Sequence, residues 1–445
     1  MRVLRQLVAT GAAAALALTL TTAALTTATT AGAEPVQVDD VFNPFVVSTF
    51  RDGQIAHPSQ WTPRPASTDP WFDPPALGDG DVPGTLLRHR PVTVQVYGVQ
   101  PGHVTAHQLM YVTTDFDGSR TVATGILMLP EDGTPPQDRR LIGYSEANDS
   151  LGPNCMPSTQ WTGGNQTDPS LFSALGPVAQ MFGRGWAVMM SDTANDGDTA
   201  PNGFSIGRFS GPATLDGLRA AIALHDAGFA PDVPVGIFGI AGGGVAAGFA
   251  AEMAGTYAPE LNLVGTVLQA MVVDSATFER TADGGIGSGF VFANSLGFAA
   301  KYPEIDLDAE LTPLGRAAAD LFHSTCQGLY LMFPFVPLSA LYTHGRPADN
   351  PAFARAYAEN ALGTRPNEIP TAPVLITSCR DDFLVPYEDV ENLGNFWRAH
   401  GADVGFDPSV CGIGDVLTDP VRVGVELLGM QNVDWFDRRF EEAGR

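Results

Sequence analysis

The sequence predicts an α/β fold, in which a mostly parallel β-sheet is covered by helices. Short apolar runs bounded by Pro, Gly or polar residues recur along the chain, as expected of buried strands. Segments with apolar residues at helical spacing separate several of these runs. Alternation of this kind is typical of a parallel sheet that is buried on both faces.

The individual elements follow from the same periodicity. Residues 92–99, 105–114 and 121–129 are expected to be the first three strands, and a hairpin turn at residues 115–118 joins the last two. The later strands are expected at residues 140–144, 186–190, 233–240, 263–271, 374–376 and 404–406. Clear helical spacing occurs in residues 215–226 and 390–398.

Two breaks in this rhythm suggest the domain organisation. Residues 34–90 are rich in Pro, Asp and aromatic residues, and we interpret them as an N-terminal segment that wraps over the body. Residues 275–368 carry helical patches such as 314–322, and we interpret them as a helical cap inserted into the sheet. The α/β core is then formed by residues 91–274 and 369–445.

The first residues predict export from the cell. Arg2 and Arg5 precede an apolar stretch at residues 7–25, and small residues follow up to Ala33. This is the layout of a signal peptide that is cut after Ala33, although a single membrane anchor would begin similarly. Many Thr residues interrupt the stretch and favour cleavage, so a secreted protein without stable membrane insertion is expected.

Charge and cysteine usage agree with an exported protein. The formal net charge of −25 disfavours nucleic acid as a partner. Four cysteines allow three disulfide pairings, of which we expect Cys155–Cys326 and Cys379–Cys411. The second pair lies near the ends of two strands expected to be neighbours, and the first would tie the body to the cap. No metal site or cofactor is predicted, because the cysteine spacings are long and no histidine clusters with them.

The most informative motif is a glycine-rich turn between an apolar run and a helix of small residues. It reads Gly239-Ile240-Ala241-Gly242-Gly243. A strand, a tight turn and a helix in this order are the setting of the nucleophile elbow G-x-S-x-G. Alanine has no hydroxyl with which to attack a substrate. A dinucleotide loop is the alternative, but G-x-G-x-x-G fits this stretch poorly.

Together with this turn, residues 88–92, 144–158, 215–221 and 250–265 resemble the secretory lipase family, the lipase-A-like triacylglycerol lipases. The resemblance runs from about residue 69 to the C-terminus. It implies an α/β-hydrolase fold with a helical cap, a Ser-Asp-His triad and activity on esters of long-chain acids.

The resemblance places two of the three triad members on unsuitable residues. The family's serine falls on Ala241, and its aspartate falls on Asp382, which begins an Asp-Phe-Leu-Val-Pro run. The family's histidine is expected after residues 404–406, but no histidine follows His400, and that loop offers Asp415 or a glycine instead. Taken alone, Asp382 would be interpreted as an ordinary carboxylate in a loop at a strand end.

The oxyanion hole is expected to be retained. In the family it uses an aspartate after the third strand, matched by Asp149, and the backbone N–H after the nucleophile, matched by Gly242. Asp149 could equally cap a helix or a turn.

Other candidate residues are interpreted as structural. Ser205 lies in a second G-x-S-x-G string, but no apolar run precedes it and Pro212 follows, so a surface loop serine is predicted. His400 is expected to complement a helix C-terminus, whereas His323 and His344 in the cap could reach the pocket. The remaining histidines are expected to be structural, namely His57, His89, His103, His107 and His225.

The sequence therefore favours a secreted pseudo-hydrolase, or a non-hydrolytic catalyst, for a hydrophobic ester or carbonyl ligand. Loss of a triad serine or histidine lowers turnover by about a million-fold, so ordinary lipase turnover is not expected. Two alternatives remain: a triacylglycerol lipase or carboxylesterase, as the resemblance implies, and an extracellular binding protein without a small ligand.

Overall fold

A nine-stranded sheet forms the centre of the protein. The computed structural model describes residues 38–60, 66–152, 154–192 and 204–444. The predicted signal peptide, residues 1–33, lies outside these ranges. The strands are β1 Gln54–Ile55, β2 Leu86–Val92, β3 Val99–Gln100, β4 Val104–Thr114, β5 Arg120–Pro130, β6 Leu141–Ser145, β7 Ala187–Ser191, β8 Val235–Ile240, β9 Leu263–Gln269, β10 Val374–Cys379 and β11 Val404–Ser409.

The sheet has the order β11-β10-β9-β8-β6-β7-β5-β4-β2 and is parallel from β11 to β7. Strands β5, β4 and β2 extend it in antiparallel fashion. Strands β1 and β3 pair separately as a short antiparallel ribbon. The predicted fold class, a mostly parallel sheet, is confirmed.

The helices of the described residues connect these strands. They are α1 Val38–Val41, α2 Pro44–Arg51, α3 Pro157–Gln160, α4 Pro169–Gly183, α5 Gly207–Ala223, α6 Gly242–Tyr257, α7 Ser275–Ala282, α8 Ser288–Lys301, α9 Leu307–Glu310, α10 Pro313–His323, α11 Leu338–Leu341, α12 Pro351–Glu359, α13 Tyr387–Ala399, α14 Ile413–Thr418, α15 Pro420–Leu427 and α16 Val433–Ala443. Among them we find no helix with the length and apolar character that a membrane span needs.

Helices cover the sheet on both faces, which explains why its central strands are apolar along their whole length. On one face α5 packs on the sheet, since the Tyr111 hydroxyl of β4 donates to the Ala213 carbonyl at 3.0 Å. On the other face the ring of Phe436, a residue of α16, contacts β8 at Gly236. A Cβ on Gly236 would overlap this ring. All six residues of β8 are buried between these layers.

The first strand of the large sheet differs from the prediction. We expected it at residues 92–99, but β2 ends at Val92 and begins inside the segment expected to wrap over the body. Tyr97 and Gly98 have positive φ angles of 49° and 76°, which no strand can accommodate. Pro91 is tolerated within β2 because this strand forms the edge of the sheet.

Between β9 and β10, the predicted cap segment forms helices α7 to α12. Both predicted disulfides are confirmed, and one of them joins this segment to the core. Cys326 follows α10 and bonds Cys155, which follows β6, while Cys379 at the end of β10 bonds Cys411 beyond β11.

The two disulfides are expected to contribute unequally to stability. They close segments that differ in length, with sequence separations of 171 and 32 residues. Because a longer loop loses more chain entropy on closure, replacing Cys155 and Cys326 by Ser should cost about 1.5 kcal/mol more than replacing Cys379 and Cys411. Denaturant unfolding of the two double variants under non-reducing conditions measures this difference, and equal or reversed losses would contradict it.

Candidate functional site

The elbow predicted from the sequence is present as a strained turn. Strand β8 ends at Ile240, Ala241 adopts φ 50° and ψ −120°, and α6 begins at Gly242. A positive φ is unfavourable for a residue with a Cβ, and it persists only where the surroundings enforce it. A Cβ on Gly243 would overlap the backbone carbonyl of Ser145, so a glycine is required there. The turn thus presents the residue at position 241 at the carboxyl edge of the sheet.

Asp149 lies directly against this turn. It follows β6, which pairs with β8, and a Cβ on Gly242 would overlap its Oδ1. That Oδ1 atom is buried and has no hydrogen-bond partner among the described residues. Burial raises the pKa of Asp149 to about 7, with a smaller contribution from the charge of Asp168. This raised pKa favours the protonated carboxyl group, which can donate a hydrogen bond.

Gln327 of the predicted cap segment, a residue that sequence reasoning missed, holds the Asp149 loop in place. The backbone N–H of Asp149 donates to Gln327 Oε1 at 2.6 Å, and Gln327 Nε2 donates to the Ala147 carbonyl at 2.7 Å. The hydroxyl of Tyr330 accepts the N–H of Leu151 at 2.9 Å. The only sequence signal for Gln327 was its position next to the disulfide-bonded cysteine of the cap.

A second missed residue, Gln269, supports the elbow from the neighbouring strand. Its carbonyl accepts the N–H of Ala241 at 2.9 Å. Its side chain accepts hydrogen bonds from Thr377 and from Asn432 (2.8 Å), and it donates to the Glu426 carbonyl at 2.9 Å. One buried amide side chain, that of Gln269, therefore connects the turn to β9, to β10 and to the C-terminal helices.

Behind the elbow, two buried carboxyl groups line a small polar cavity of about 20 Å³. Glu146 accepts hydrogen bonds from Trp161 Nε1 (3.0 Å) and Asn148 Nδ2 (3.2 Å), and burial raises its pKa to about 7. Asp192 accepts the Ser158 hydroxyl at 2.6 Å, and burial raises its pKa to about 6. A cavity of this size accommodates about one water molecule, so it is too small for an organic ligand.

Asp382 lies at the same edge of the sheet, two strands away from the elbow. It follows β10, and its Oδ1 accepts the N–H groups of Leu384 (2.8 Å) and Val385 (3.0 Å). Burial raises the pKa of Asp382. These contacts are those of a carboxylate that shapes its own loop, and the other carboxylate oxygen is left for a further partner.

The segment after β11, where the resemblance implies a histidine, is helical rather than the loop we predicted. Gly412 precedes α14, and Asp415 in the first turn accepts the Gly412 N–H at 3.1 Å. A Cβ on Gly412 would lie 2.9 Å from Asp381 Oδ2. Asp415 is therefore a helix-capping residue, and the carboxylate of Asp381 lies beside the same turn.

The prediction of a surface loop for Ser205 was wrong. Ser205 is buried with φ 63°, and α5 begins only two residues later at Gly207. Helix α5 accommodates Pro212, which we had expected to delay its start. Residues 194–202, which are polar and were interpreted as a loop, lie outside the described residues. Ser205 therefore needs an experimental control.

The three histidines considered for the site lie on three different segments of the chain. His400 ends α13, and its Nδ1 donates to the Phe396 carbonyl at 2.8 Å, as predicted for a helix C-terminus. His344 is exposed and lies 3.4 Å from Glu310. His323 ends α10, and its Nε2 is buried without a hydrogen-bond partner among the described residues.

Comparison with known proteins relates this chain to secretory lipases. The family model "Secretory lipase" matches residues 174–443. A secreted triacylglycerol lipase of Malassezia globosa is 30% identical over 345 residues, 76% of this chain and 74% of that protein. A probable inactive lipase of Mycobacterium tuberculosis is 29% identical over 365 residues, 76% of each chain.

Among solved structures, the closed state of Candida antarctica lipase A superposes with a TM-score of 0.74 and 21% identity, covering 86% of this chain and 88% of that one. This likeness and the nine-stranded sheet show that the chain has the α/β-hydrolase fold. With 30% identity to a lipase over three quarters of the chain and a family model matching most of it, the protein belongs to the secretory lipase family.

Proposed function

We propose that this protein is exported after cleavage behind Ala33 and binds a hydrophobic ester or carbonyl compound without hydrolysing it through a Ser-His-Asp triad. The observation that carries the proposal is Ala241 at the apex of the strained elbow. A methyl group there supplies no nucleophile, and no histidine follows the last strand in the sequence. The names of its relatives, which include secreted lipases and a probable inactive lipase, are compatible with both export and loss of activity.

Asp149 and the backbone N–H of Gly242 are the groups proposed to bind the ligand's carbonyl oxygen. A buried carboxyl group that keeps its proton near pH 7 is a hydrogen-bond donor, and its Oδ1 already faces Gly242. Such a pair would polarise a carbonyl group even in the absence of a nucleophile. This favours a second candidate function, a non-hydrolytic reaction such as addition or elimination in which Asp149 acts as the acid.

Exposed apolar side chains beside the Asp382 loop support a hydrophobic ligand. Phe335, Phe383 and Ile286 are 65%, 58% and 50% exposed. The Phe335 N–H donates to the carbonyl of Gly285 at 2.7 Å, and Leu384, next to Phe383, packs against the residue after Ile286. The three side chains therefore lie on neighbouring segments and offer an apolar surface. A lipid ester or another hydrophobic small molecule would pack against this surface. Nucleic acid is not proposed as a partner, because of the net charge of −25.

The test compares ester hydrolysis by the mature chain and two variants, using p-nitrophenyl butyrate, octanoate and palmitate. We expect the unmodified chain and Ala241→Ser to remain at the rate of the buffer blank, because the restored hydroxyl lacks a base. Ser205→Ala is the control for an overlooked nucleophile. Hydrolysis by the unmodified chain at ordinary enzyme rates would reject the proposal, and its loss in Ser205→Ala would identify the nucleophile.

Ligand binding is measured separately with long-chain methyl ketones, which contain the carbonyl group but no ester bond. We expect them to raise the melting temperature of the mature chain, and Asp149→Ala to weaken their binding at least about tenfold. Asp117→Ala, in the exposed turn between β4 and β5, is the matched control and should bind normally. Equal binding by Asp149→Ala and the unmodified chain would show that Asp149 does not contact the carbonyl.

A further inference from the structure

Two histidines and an aspartate converge on a face of the molecule that the proposed function does not use. One ligand atom each of His89, His107 and Asp226 lies within 4.8 Å of the other two. Within the part of the chain that the structure describes, this is the only group of three metal-ligating side chains so close together. We had expected His89 and His107 to be purely structural and had predicted no metal site.

Strand register explains why the two histidines meet. His89 of β2 is opposite Leu109 of β4, and His107 is two residues before Leu109. Because side chains alternate between the faces of a strand, His89 and His107 are diagonal neighbours on one face of the sheet. Their ring centroids are 5.7 Å apart.

Asp226 reaches the same point from a third element. It lies in the 3₁₀ turn His225–Ala227, which follows the C-terminus of α5, the helix packed on this face of the sheet. The C-terminal end of a 17-residue helix carries partial negative charge and favours a nearby cation. The fully exposed His225 lies beside the group, with Nδ1 4.0 Å from Asp226 Oδ1.

The contacts of His107 leave it free to bind a metal. Its Nδ1 is buried and has no hydrogen-bond partner among the described residues, so no such bond competes for the lone pair of that atom. The neutral imidazole is the form of histidine that binds metals.

We propose that His89, His107 and Asp226 form a binding site for a divalent transition metal of the zinc type, which ties the edge strand β2 to β4 and to the end of α5. Two imidazoles and one carboxylate are a donor set suited to Zn²⁺ and Co²⁺, with solvent or His225 as the fourth ligand. Tetrahedral Zn²⁺ holds its ligand atoms about 3.3 Å apart, as follows from its bond lengths. The present separations are at most 4.8 Å, and His89 and Asp226 are exposed, so the side chains of these two residues have room to move toward an ion.

The site is tested by calorimetric titration of the tag-free, full mature chain, stripped with EDTA and dialysed, with ZnCl₂ at pH 7.5. We expect one Zn²⁺ per chain with a dissociation constant in the low micromolar range or tighter. At a hundredfold excess over that constant, the melting temperature should rise by about 2 to 5 °C, because the metal binds the folded chain selectively. CoCl₂ should produce the visible absorption bands of a four-coordinate Co²⁺ site.

Variants decide which residues hold the metal. His107→Gln and Asp226→Asn should each weaken Zn²⁺ binding at least tenfold and abolish the thermal shift. His344→Gln, which alters an exposed histidine 3.4 Å from a glutamate elsewhere, should bind like the unmodified chain. If His107→Gln fails to fold, the exposed Asp226→Asn still decides the question. Millimolar binding, or unchanged affinity in Asp226→Asn, would overturn the proposal and indicate adventitious binding only.

Discussion

Replacing Gly243 by Ala is expected to lower the free energy of unfolding by at least about 3 kcal/mol. The new Cβ would overlap the backbone carbonyls of Ser145 and Glu146, and these atoms cannot rotate away as a side chain could. The carboxyl end of β6 would have to move away from α6, and the Asp149 loop that follows it would move too. Denaturant unfolding monitored by circular dichroism measures the loss.

The matched control is Gly424→Ala in α15. A Cβ at Gly424 meets no atom within 4 Å, so the substitution adds only helix propensity. We expect it to stabilise the protein by up to about 1 kcal/mol, the opposite sign to Gly243→Ala. A Gly243→Ala variant as stable as the unmodified protein would mean that the elbow and the β6 loop are not in tight contact.

The second large effect concerns pH and the buried Glu252. This residue of α6 is 1% exposed; its Oε1 accepts the Gly363 N–H at 2.7 Å and Trp397 Nε1 at 2.9 Å. Its Oε2 is buried without a hydrogen-bond partner among the described residues. Burial raises the pKa of Glu252 from 4.5 to about 7, so the folded protein keeps this proton over a range in which the unfolded chain has lost it.

The sign of the pH dependence follows from that difference. Between pH 4.5 and about 7 the folded state binds more protons than the unfolded state, so the stability contributed by this group falls as the pH rises. It is complete below pH 4.5 and lost above about pH 7. The difference in pKa corresponds to about 3 kcal/mol.

Glu252→Gln should remove this dependence. The amide keeps an acceptor for Gly363 and Trp397 but cannot ionise, so between pH 5 and pH 8 the variant should lose about 2.5 kcal/mol less stability than the unmodified protein. Denaturant unfolding at both pH values measures the difference. Glu131→Gln, at an exposed position, should leave the pH dependence unchanged. Parallel pH profiles for Glu252→Gln and the unmodified protein would show that Glu252 ionises freely in the folded state.

The pH dependence contributed by four other acids should have the same direction. Burial also raises the pKa of Glu146, Asp149 and Glu279 to about 7 and that of Asp192 to about 6. These four acids should therefore add to the loss of stability between pH 5 and pH 8, whereas burial lowers the pKa of His323, which acts in the opposite direction. Of these acids only Asp149 was predicted as a site residue, because burial depends on contacts between distant segments.

The elements predicted correctly from the sequence are those with strong local patterns. The apolar run of β8 and the glycines after it are adjacent in the chain, so the strand, the turn and the start of α6 could be predicted from residues 233–252. The disulfide pairing was also predicted correctly, because four cysteines leave few alternatives. Where long-range packing overrides local signals, prediction failed, as for the helix that begins at Gly207 despite Pro212.

The sequence by itself determined the fold class, the elbow and the absence of a hydroxyl at position 241, because each depends on residue type and short-range order. Only the tertiary structure decided what surrounds the elbow. Gln327 is 178 residues from Asp149, and Gln269 is 163 residues from Asn432, yet both pairs are hydrogen-bonded. The convergence of His89, His107 and Asp226 likewise depends on strand register and on where a helix ends. Contacts of this kind form between segments that pack together, and periodicity along one segment carries no information about its partner.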